Sequence, residues 1–158
     1  MRGQVWHQLI PQIAWIEPIE AENVLFADDP ISTLWSRWSS PWVREVGVFA
    51  VLDHEGTIVG ELRSYDMLHY LLQLEAEVYH LWPYTHVVKR PWSERVNLLD
   101  HVPASALMQR PGVVIDNPPP NWAPGIKLFA HHMTSVIWIA DPMGRLSGKV
   151  TLRGVVLE

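Results

Sequence analysis

The feature that most constrains the fold is an internal repeat, because a duplicated segment requires two copies of one local structure. Residues 48–62 and 136–150 both consist of an apolar run, an Asp-x-x-Gly turn and a second apolar run that contains a glycine. The two turn aspartates, Asp53 and Asp141, lie 88 positions apart. The sequence therefore predicts two structural units of the same kind within one chain.

Each part of the repeat predicts a local structure. An Asp-x-x-Gly turn between two β-prone runs is typical of a hairpin, since Asp accepts hydrogen bonds from the turn backbone and Gly adopts a positive φ. The same offset extends upstream without a gap and aligns Asp28-Asp29-Pro30 with Asp116-Asn117-Pro118. We interpret Asp29-Pro30 and Asn117-Pro118 as helix starts, and Ser64 as the cap of a further helix after the hairpin.

The predicted order of each unit is therefore strand, helix, strand, hairpin, strand and helix. In the second unit, prolines and a glycine delay the first helix, which we expect from about Trp122 to about His132. Pro18 and Pro103 suggest that the segments before the two units are related. We divide the chain into residues 1–72, an inter-repeat linker at 73–110, and residues 111–158.

The linker is expected to contain helix. Its apolar residues continue the helical spacing of the segment before it. Either one long helix or a helix, a loop and a second helix is open at this point, and prolines at positions 83, 91 and 103 disfavour the unbroken helix.

Composition excludes several classes of function. The 158 residues carry a formal net charge of −5 and no basic block, which disfavours nucleic acid as a partner. The absence of cysteine excludes disulfides, thiolate nucleophiles and Cys-based zinc sites. No apolar run approaches the length of about 18 residues that a membrane span needs, so we expect no membrane insertion. The polar N-terminal residues do not resemble a signal peptide, and we expect a cytoplasmic protein.

Catalytic and metal-binding patterns are also missing from the sequence. The eight histidines are scattered, and the adjacent pair His131-His132 diverges on a helix, so we expect no metal site. There is no Gly-x-Ser-x-Gly turn, no phosphate loop of the Walker type and no Gly-x-Gly-x-x-Gly. We therefore expect that the protein is not an enzyme and needs no obligatory cofactor.

The order of these signals resembles the CBS domain. In that family an apolar strand ends in Val-Asp, a turn with glycine follows, and a second strand leads into Thr/Ser-x-x-Asp at the start of the last helix. Residues 50–68 look like that block and residues 139–156 like a divergent second copy, and together the two units cover some 60% of the chain. The resemblance implies an α+β fold of two pseudo-symmetric β-α-β-β-α CBS units packed through their sheets, with an N-terminal arm and an inter-repeat linker helix.

The resemblance also implies a ligand, an adenine nucleotide such as AMP, ADP or ATP, bound in a cleft between the units. The family places a Thr or Ser hydroxyl on the phosphate and an Asp carboxylate on the ribose. This chain departs from that pattern in both copies, because Arg63 replaces the first Thr and Gly154 replaces the second Asp. The residues expected at the nucleotide are Arg63, Ser64, Asp66, Trp138, Thr151 and Arg153. Trp138 stands where the family usually has proline, so it either fills part of a cleft or stacks on the base.

Two functions follow from the resemblance. The first is a regulatory module that senses an adenine nucleotide and signals to a partner protein not specified by the sequence. The alternative is a CBS pair that has lost its ligand and serves as a structural or protein-interaction subunit, which the incomplete motifs favour. Family modules commonly pair through their helices, so the resemblance implies a homodimer. The nine tryptophans indicate an additional apolar contact surface.

Overall fold

The structure is a computed structural model that describes residues 15–156, apart from the side chains at positions 77, 79 and 81. A 3-10 turn (Ala21–Asn23) leads into the first unit. The elements of that unit are β1 (Val24–Phe26), α1 (Ser32–Ser36), α2 (Pro41–Glu45), β2 (Val48–Leu52), β3 (Ile58–Arg63) and α3 (Ser64–Gln73). The linker forms β4 (Ala76–Leu81), β5 (Tyr84–Lys89), α4 (Trp92–Leu98), a 3-10 turn (Leu99–His101) and α5 (Ala104–Leu107). The second unit contains β6 (Val114–Asp116), α6 (Ile126–His132), β7 (Val136–Ala140), β8 (Leu146–Thr151) and α7 (Leu152–Val156).

The two units share one sheet topology, which confirms the predicted α+β fold with duplicated units. In each unit the first strand pairs in parallel with the second, and the second pairs antiparallel with the third. Val48 lies opposite Arg63 and Val136 lies opposite Thr151, so the register of the last two strands repeats at an offset of 88. Both ladders are irregular at the same place, near the end of the middle strand.

The predicted turns have the same geometry in both units. The Asp53 Oδ1 accepts hydrogen bonds from the amides of Glu55 and Thr57, each at 2.9 Å. The Asp141 Oδ1 accepts the equivalent bonds at 2.8 and 2.9 Å. Gly56 and Gly144 have φ values of +87° and +80°, which a side chain would strain.

The first strand does not follow the offset of 88. Leu25 pairs with Val51 and Ile115 with Ile139, so the first strands correspond at an offset of 90. The gapless alignment of Asp28–Pro30 with residues 116–118 is therefore wrong. A shift of two residues keeps the alternation of strand faces, so the buried face is preserved while the loop after the strand changes length.

The predicted helix starts are also wrong. The Asp29 carboxylate accepts from the Phe26 amide at 2.9 Å and closes a turn, while α1 begins only at Ser32. Asn117 adopts a left-handed conformation with φ of 44°, and no helix forms before Ile126. Pro124 and Gly125 explain why α6 begins about four residues later than predicted.

The linker departs furthest from expectation. Instead of beginning with helix, it forms the antiparallel hairpin β4–β5, closed by a Trp82-Pro83 turn with a cis peptide bond. The short helices α4 and α5 follow. Part of the signal for the hairpin lies in the sequence, since four of the six residues of β5 and two of the six residues of β4 are β-branched or aromatic.

The segment before each unit pairs with the third strand of the other unit. Backbone around Glu17 pairs with Lys149 of β8, and backbone around Gln109 pairs with Glu61 of β3. The two segments therefore correspond at an offset of 92, and the predicted match of Pro18 with Pro103 is wrong, because Pro103 pairs with Pro30. The glycine inside each third strand permits this approach: a Cβ on Gly148 would lie 2.6 Å from the Ile16 Cγ2, and one on Gly60 2.6 Å from the Met108 Sδ.

The units meet through their sheets. Trp138 of β7 is fully buried and belongs to the same hydrophobic cluster as Leu25, Phe49 and Leu62 of the first unit. A smaller cluster formed around Phe129 and Ile137 completes the second unit. The two turns also pair with each other between Thr57 and Arg145, which are equivalent positions at the offset of 88. This contact lies near the pseudo-twofold axis that relates the units.

Candidate ligand-binding clefts

A cavity of about 400 Å³ lies on the first unit, where α2 and the start of α3 flank the N-terminal end of β2. We call it the Arg63 cavity. Its walls combine two guanidinium groups with apolar side chains, and its lining residues are Trp38, Val43, Arg44, Val46, Gly47, Val48, Arg63, Ser64, Tyr65 and Leu68. Neither arginine is paired with a carboxylate among the residues that the structure describes. The cavity therefore presents positive charge that its own walls do not neutralise.

Two local features shape this cavity. Helix α3 is ten residues long and begins at its edge, so its first amides and the positive end of its dipole favour an anion there. Gly47 has a φ of +68°, and a Cβ at this position would lie 2.9 Å from the Ser64 Oγ and 3.2 Å from the Val43 carbonyl oxygen. A side chain at position 47 would thus be strained and would crowd Ser64.

A second cavity, of about 320 Å³, lies between the units. We call it the Lys149 cleft. The N-terminal segment, α2, the end of β8 and the start of α7 supply its walls. Its lining residues are Glu17, Glu20, Glu22, Asn23, Trp42, Glu45, Val46, Lys149, Thr151, Arg153 and Gly154. Four carboxylates against two cations make this cleft acidic, so its charge is opposite to that of the Arg63 cavity.

The buried ammonium of Lys149 donates hydrogen bonds to acceptors within the chain. Its Nζ donates to the Pro18 carbonyl oxygen at 2.6 Å and to the Asn23 Oδ1 at 2.9 Å. It also lies 5.4 Å from the centre of the Trp42 ring, in a cation–π contact. Burial lowers the pKa of Lys149, and the nearby carboxylates of Glu17, Glu20 and Glu22 oppose that shift.

The environment of the Lys149 cleft raises the pKa of Glu22. Burial raises the pKa of Glu22, and a hydrogen bond and charge repulsion from Glu20 raise it further. Lys149 and Arg37 act in the opposite direction. A phosphate in this cleft would meet carboxylates that already repel one another.

Known structures identify the fold. No family model matches the sequence, and no curated protein is similar to it. A CBS domain protein from Streptococcus pneumoniae TIGR4 superposes with a TM-score of 0.62 at 12% identity, covering 98% of this chain and 87% of that one. CBSX2 in complex with AMP gives 0.58 at 15% identity, covering 90% of each chain. The cytosolic domain of the Mg²⁺ channel MgtE in complex with ATP gives 0.55 at 16% identity, covering 90% of this chain and 46% of that one.

The chain has the fold of a tandem CBS domain pair. The fold inferred from the doubled motif is thereby confirmed, and at these identities the likeness concerns the fold alone. Among residues 15–156 no helix is long and apolar enough to cross a membrane. The same part of the chain contains no group of three or more His, Asp or Glu side chains arranged to hold a metal ion.

The six residues expected at the nucleotide do not converge on one site. Arg63 and Ser64 line the Arg63 cavity, whereas Thr151 and Arg153 line the Lys149 cleft. Thr151 accepts a hydrogen bond from the Gly154 amide at 3.1 Å, and Arg153 forms an ion pair with Glu45. Both side chains of the second copy therefore already have partners within the chain.

Asp66 has a local role at the start of α3. One carboxylate oxygen accepts from the Arg63 amide at 2.9 Å and the other from the Gln109 Nε2 at 3.0 Å. Asp66, and not Ser64 as predicted, supplies the side-chain cap, since Ser64 is the first helical residue. Asp66 thus stabilises the helix N-terminus and ties it to the segment that pairs with β3.

Trp138 is not placed to stack on a base. Its side chain is fully buried, and its indole Nε1 donates to the Glu61 carboxylate at 2.9 Å. Glu61 also accepts from the Gly112 amide at 3.2 Å. The ring fills the space between the units, 6.4 Å from the centre of the Trp42 ring.

Sequence reasoning missed the buried charges Glu61 and Lys149. They lie at equivalent positions of β3 and β8, directly after the strand glycines Gly60 and Gly148. The available signal was a charged residue within a predicted buried strand, repeated at the offset of 88 with opposite sign.

Proposed function

We propose that this CBS pair is a non-catalytic regulatory module that binds an adenine nucleotide in the Arg63 cavity. Arg44 and Arg63 would bind the phosphate, helped by the N-terminus of α3 and the Ser64 hydroxyl. The exposed Tyr65 and the half-buried Trp38 offer aromatic surface for the base. The single observation that carries the proposal is that Arg44 and Arg63 line one cavity and that neither forms an ion pair with a carboxylate among the residues that the structure describes.

The size of the cavity and the related structures support this assignment. A volume of about 400 Å³ falls within the range of roughly 300–1,000 Å³ that small-molecule sites occupy. CBSX2 and the cytosolic domain of MgtE have the same fold and were solved with AMP and ATP, respectively. An adenine nucleotide is therefore the first ligand to test.

The output of the module is proposed to be a change in its interaction with a partner protein. A ligand between α2 and α3 would contact both helices. It would shift the equilibrium between two conformations of the module by the difference in its affinity for them. A sensor of the intracellular nucleotide pool would act in the cytoplasm, and it would carry out no chemistry itself.

Thermal unfolding with AMP, ADP and ATP tests the binding site. A nucleotide at 100 times its Kd should stabilise the protein by about 2.7 kcal/mol. Arg44→Ala should lose most of this stabilisation, because it removes a phosphate contact. Lys127→Ala, which removes an exposed charge from α6, is the control and should retain it. Equal stabilisation of the wild type and Arg44→Ala would place the nucleotide elsewhere.

A ligand-free interaction subunit is the second candidate, and the Lys149 cleft is the observation that favours it. The Thr and Arg expected to bind a nucleotide there are engaged by Gly154 and Glu45. If the Arg63 cavity is also unused, no nucleotide will change the melting temperature. Absence of a shift with AMP, ADP, ATP, S-adenosylmethionine and cyclic dinucleotides would support this candidate over the sensor.

A further inference from the structure

The linker hairpin is separate from the sheets of both units. Strands β4 and β5 pair only with each other, and no further strand or isolated bridge joins either edge among the residues that the structure describes. A two-stranded hairpin of this kind is marginally stable in water. Its unpaired amides and carbonyls also form an edge to which another strand can add.

The side chains of the hairpin are unusually exposed for their type. All six residues of β5 are exposed. Trp82 at the turn is 97% exposed and the adjacent Tyr84 is 70% exposed, while Val78, Val87 and Val88 are each at least half exposed. Apolar side chains therefore follow an open backbone edge, which is the arrangement that strand addition requires.

We propose that β5 pairs antiparallel with β5 of a second copy of this chain, so that two hairpins form one four-stranded sheet across a twofold axis. A twofold axis perpendicular to the sheet places a residue of β5 opposite itself. We assign that position to Val87, because the valine then packs on its own equivalent. Centring on His86 would oppose two imidazoles.

The same register joins apolar surfaces beyond the strand. With Val87 on the axis, the turn of each hairpin lies beside the base of the other, where α4 begins. Trp82 of one copy is then directed toward the half-exposed Trp92 of the other, which already packs edge-on against Trp35 with ring centres 5.6 Å apart. The exposed turn tryptophan thus gains an aromatic neighbour.

Charge and area are both compatible with self-association. Residues 76–89 contain one Glu and one Lys, so two hairpins do not repel despite the net charge of −5 on the chain. Aromatic side chains bury about 150–250 Å² each, so Trp82 and Tyr84 bring on the order of 300 Å² per copy. With the valines and the paired backbone, two copies reach roughly 1,200 Å², the lower end of specific interfaces.

Sedimentation of the whole protein tests the interface. We expect a dimer for the wild type, and Val87→Lys should raise its dissociation constant at least about 100-fold, since it places two ammonium groups face to face. Met143→Lys, at a more exposed apolar residue of the β7–β8 turn, is the control and should leave the dimer intact. Circular dichroism checks that each variant is folded. A monomeric wild type at about 100 μM, or a Val87→Lys dimer as tight as the wild type, would overturn the proposal.

The absence of cysteine from the sequence permits a direct test of the register. Residues opposite each other in an antiparallel pair have Cα atoms about 4.5–5.5 Å apart, which suits a disulfide. Oxidation of Val87→Cys should give a covalent dimer, whereas Met143→Cys should remain largely monomeric on a denaturing gel. A wild type that dimerises while Val87→Cys does not cross-link faster than Met143→Cys would contradict pairing through β5.

Discussion

The third strands of the two units share one backbone and carry opposite buried charges. In the first unit, Glu61 is 2% exposed and accepts from the Trp138 indole and the Gly112 amide. At the equivalent position of the second unit, Lys149 is 4% exposed and donates to the Pro18 carbonyl and the Asn23 side chain. The two strands have the same register, a glycine before the charged residue and the same pairing with a neighbouring segment. The backbone geometry is therefore repeated, whereas the sign of the buried charge is opposite.

The partners of each charge come from outside its own unit. Trp138 belongs to the second unit and donates to Glu61 of the first, whereas Trp42 of the first unit packs against Lys149 of the second. A buried charge is tolerated when it is hydrogen-bonded, and removal of its partners is costly. The two charges therefore make each unit dependent on the other, and substitutions at these equivalent positions measure how far the two environments differ.

Replacement of the buried Glu61 carboxylate by an ammonium should cause the largest loss of stability. Glu61→Lys places an ammonium against the Trp138 Nε1 and the Gly112 amide, two donors that cannot bind it. We expect a loss of about 3–5 kcal/mol in the free energy of unfolding, measured by urea denaturation. Glu55→Lys, an exposed turn substitution, should change stability by no more than about 0.5 kcal/mol. A loss below about 1 kcal/mol for Glu61→Lys would mean that the two environments are interchangeable.

The strand glycines should be the next most sensitive pair. A Cβ at Gly148 would lie 2.6 Å from the short Ile16 side chain, whereas one at Gly60 would first meet the flexible end of Met108. We expect Gly148→Ala to cost about 1–3 kcal/mol and Gly60→Ala less, measured by thermal unfolding. Gly125→Ala, where a Cβ has no neighbour within 4 Å, is the control. The reverse order would show that the Gln109 carbonyl oxygen, 3.0 Å from a Cβ at Gly60, restricts β3 more than the Ile16 side chain restricts β8.

Substitution of either turn aspartate should lower the free energy of unfolding by the same amount. Asp53 and Asp141 each accept two backbone hydrogen bonds of 2.8–2.9 Å in the same geometry. We expect Asp53→Ala and Asp141→Ala each to cost about 1 kcal/mol, with a difference of no more than about 0.5 kcal/mol between them. Unequal costs in chemical denaturation would show that the turns differ in energy despite their common geometry.

The smallest expected effect is a pH dependence at Lys149. Burial lowers the pKa of Lys149 in the folded state below that of the unfolded chain. Over the pH window between those two values the unfolded state binds more protons, so folding stability rises with pH there. The contribution is fully present above the unfolded pKa of about 10.4 and is lost as pH falls through the folded pKa. Lys149→Met should remove this rise from unfolding curves recorded at successive alkaline pH values, whereas Lys127→Met should keep it.

Local chemistry explains which parts of the fold could be predicted from sequence. The Asp-x-x-Gly turns were predictable because the aspartate, the glycine and their hydrogen bonds lie within four residues of one another. The helix starts predicted from the Asx-Pro pairs were wrong. At the first pair, Asp29 closes a turn by accepting from the Phe26 amide and does not cap a helix. The β4–β5 hairpin was not predicted, because Pro83 was interpreted only as a helix breaker and the β-prone residues on both sides of it were not read as strands.

Non-local contacts explain the limits at the candidate site. The pairing of Glu17 with Lys149 joins residues far apart in the chain, and no local pattern specifies it. Arg63 and Ser64 were placed beside a cavity, but the engagement of Arg153 by Glu45 depends on how the units pack. Trp138 was expected at a cleft, but its hydrogen bond to Glu61 of the other unit depends on the tertiary structure.

Isothermal titration of nucleotide-free protein with AMP and ATP measures whether the Arg63 cavity binds an adenine nucleotide. The difference between the basic Arg63 cavity and the acidic Lys149 cleft predicts one nucleotide per chain. Arg63→Ala should weaken binding about 10- to 100-fold, in keeping with the loss of a charged hydrogen bond, and Arg153→Ala should leave it within about twofold. Two equivalent sites, or a loss with Arg153→Ala but not with Arg63→Ala, would contradict the account.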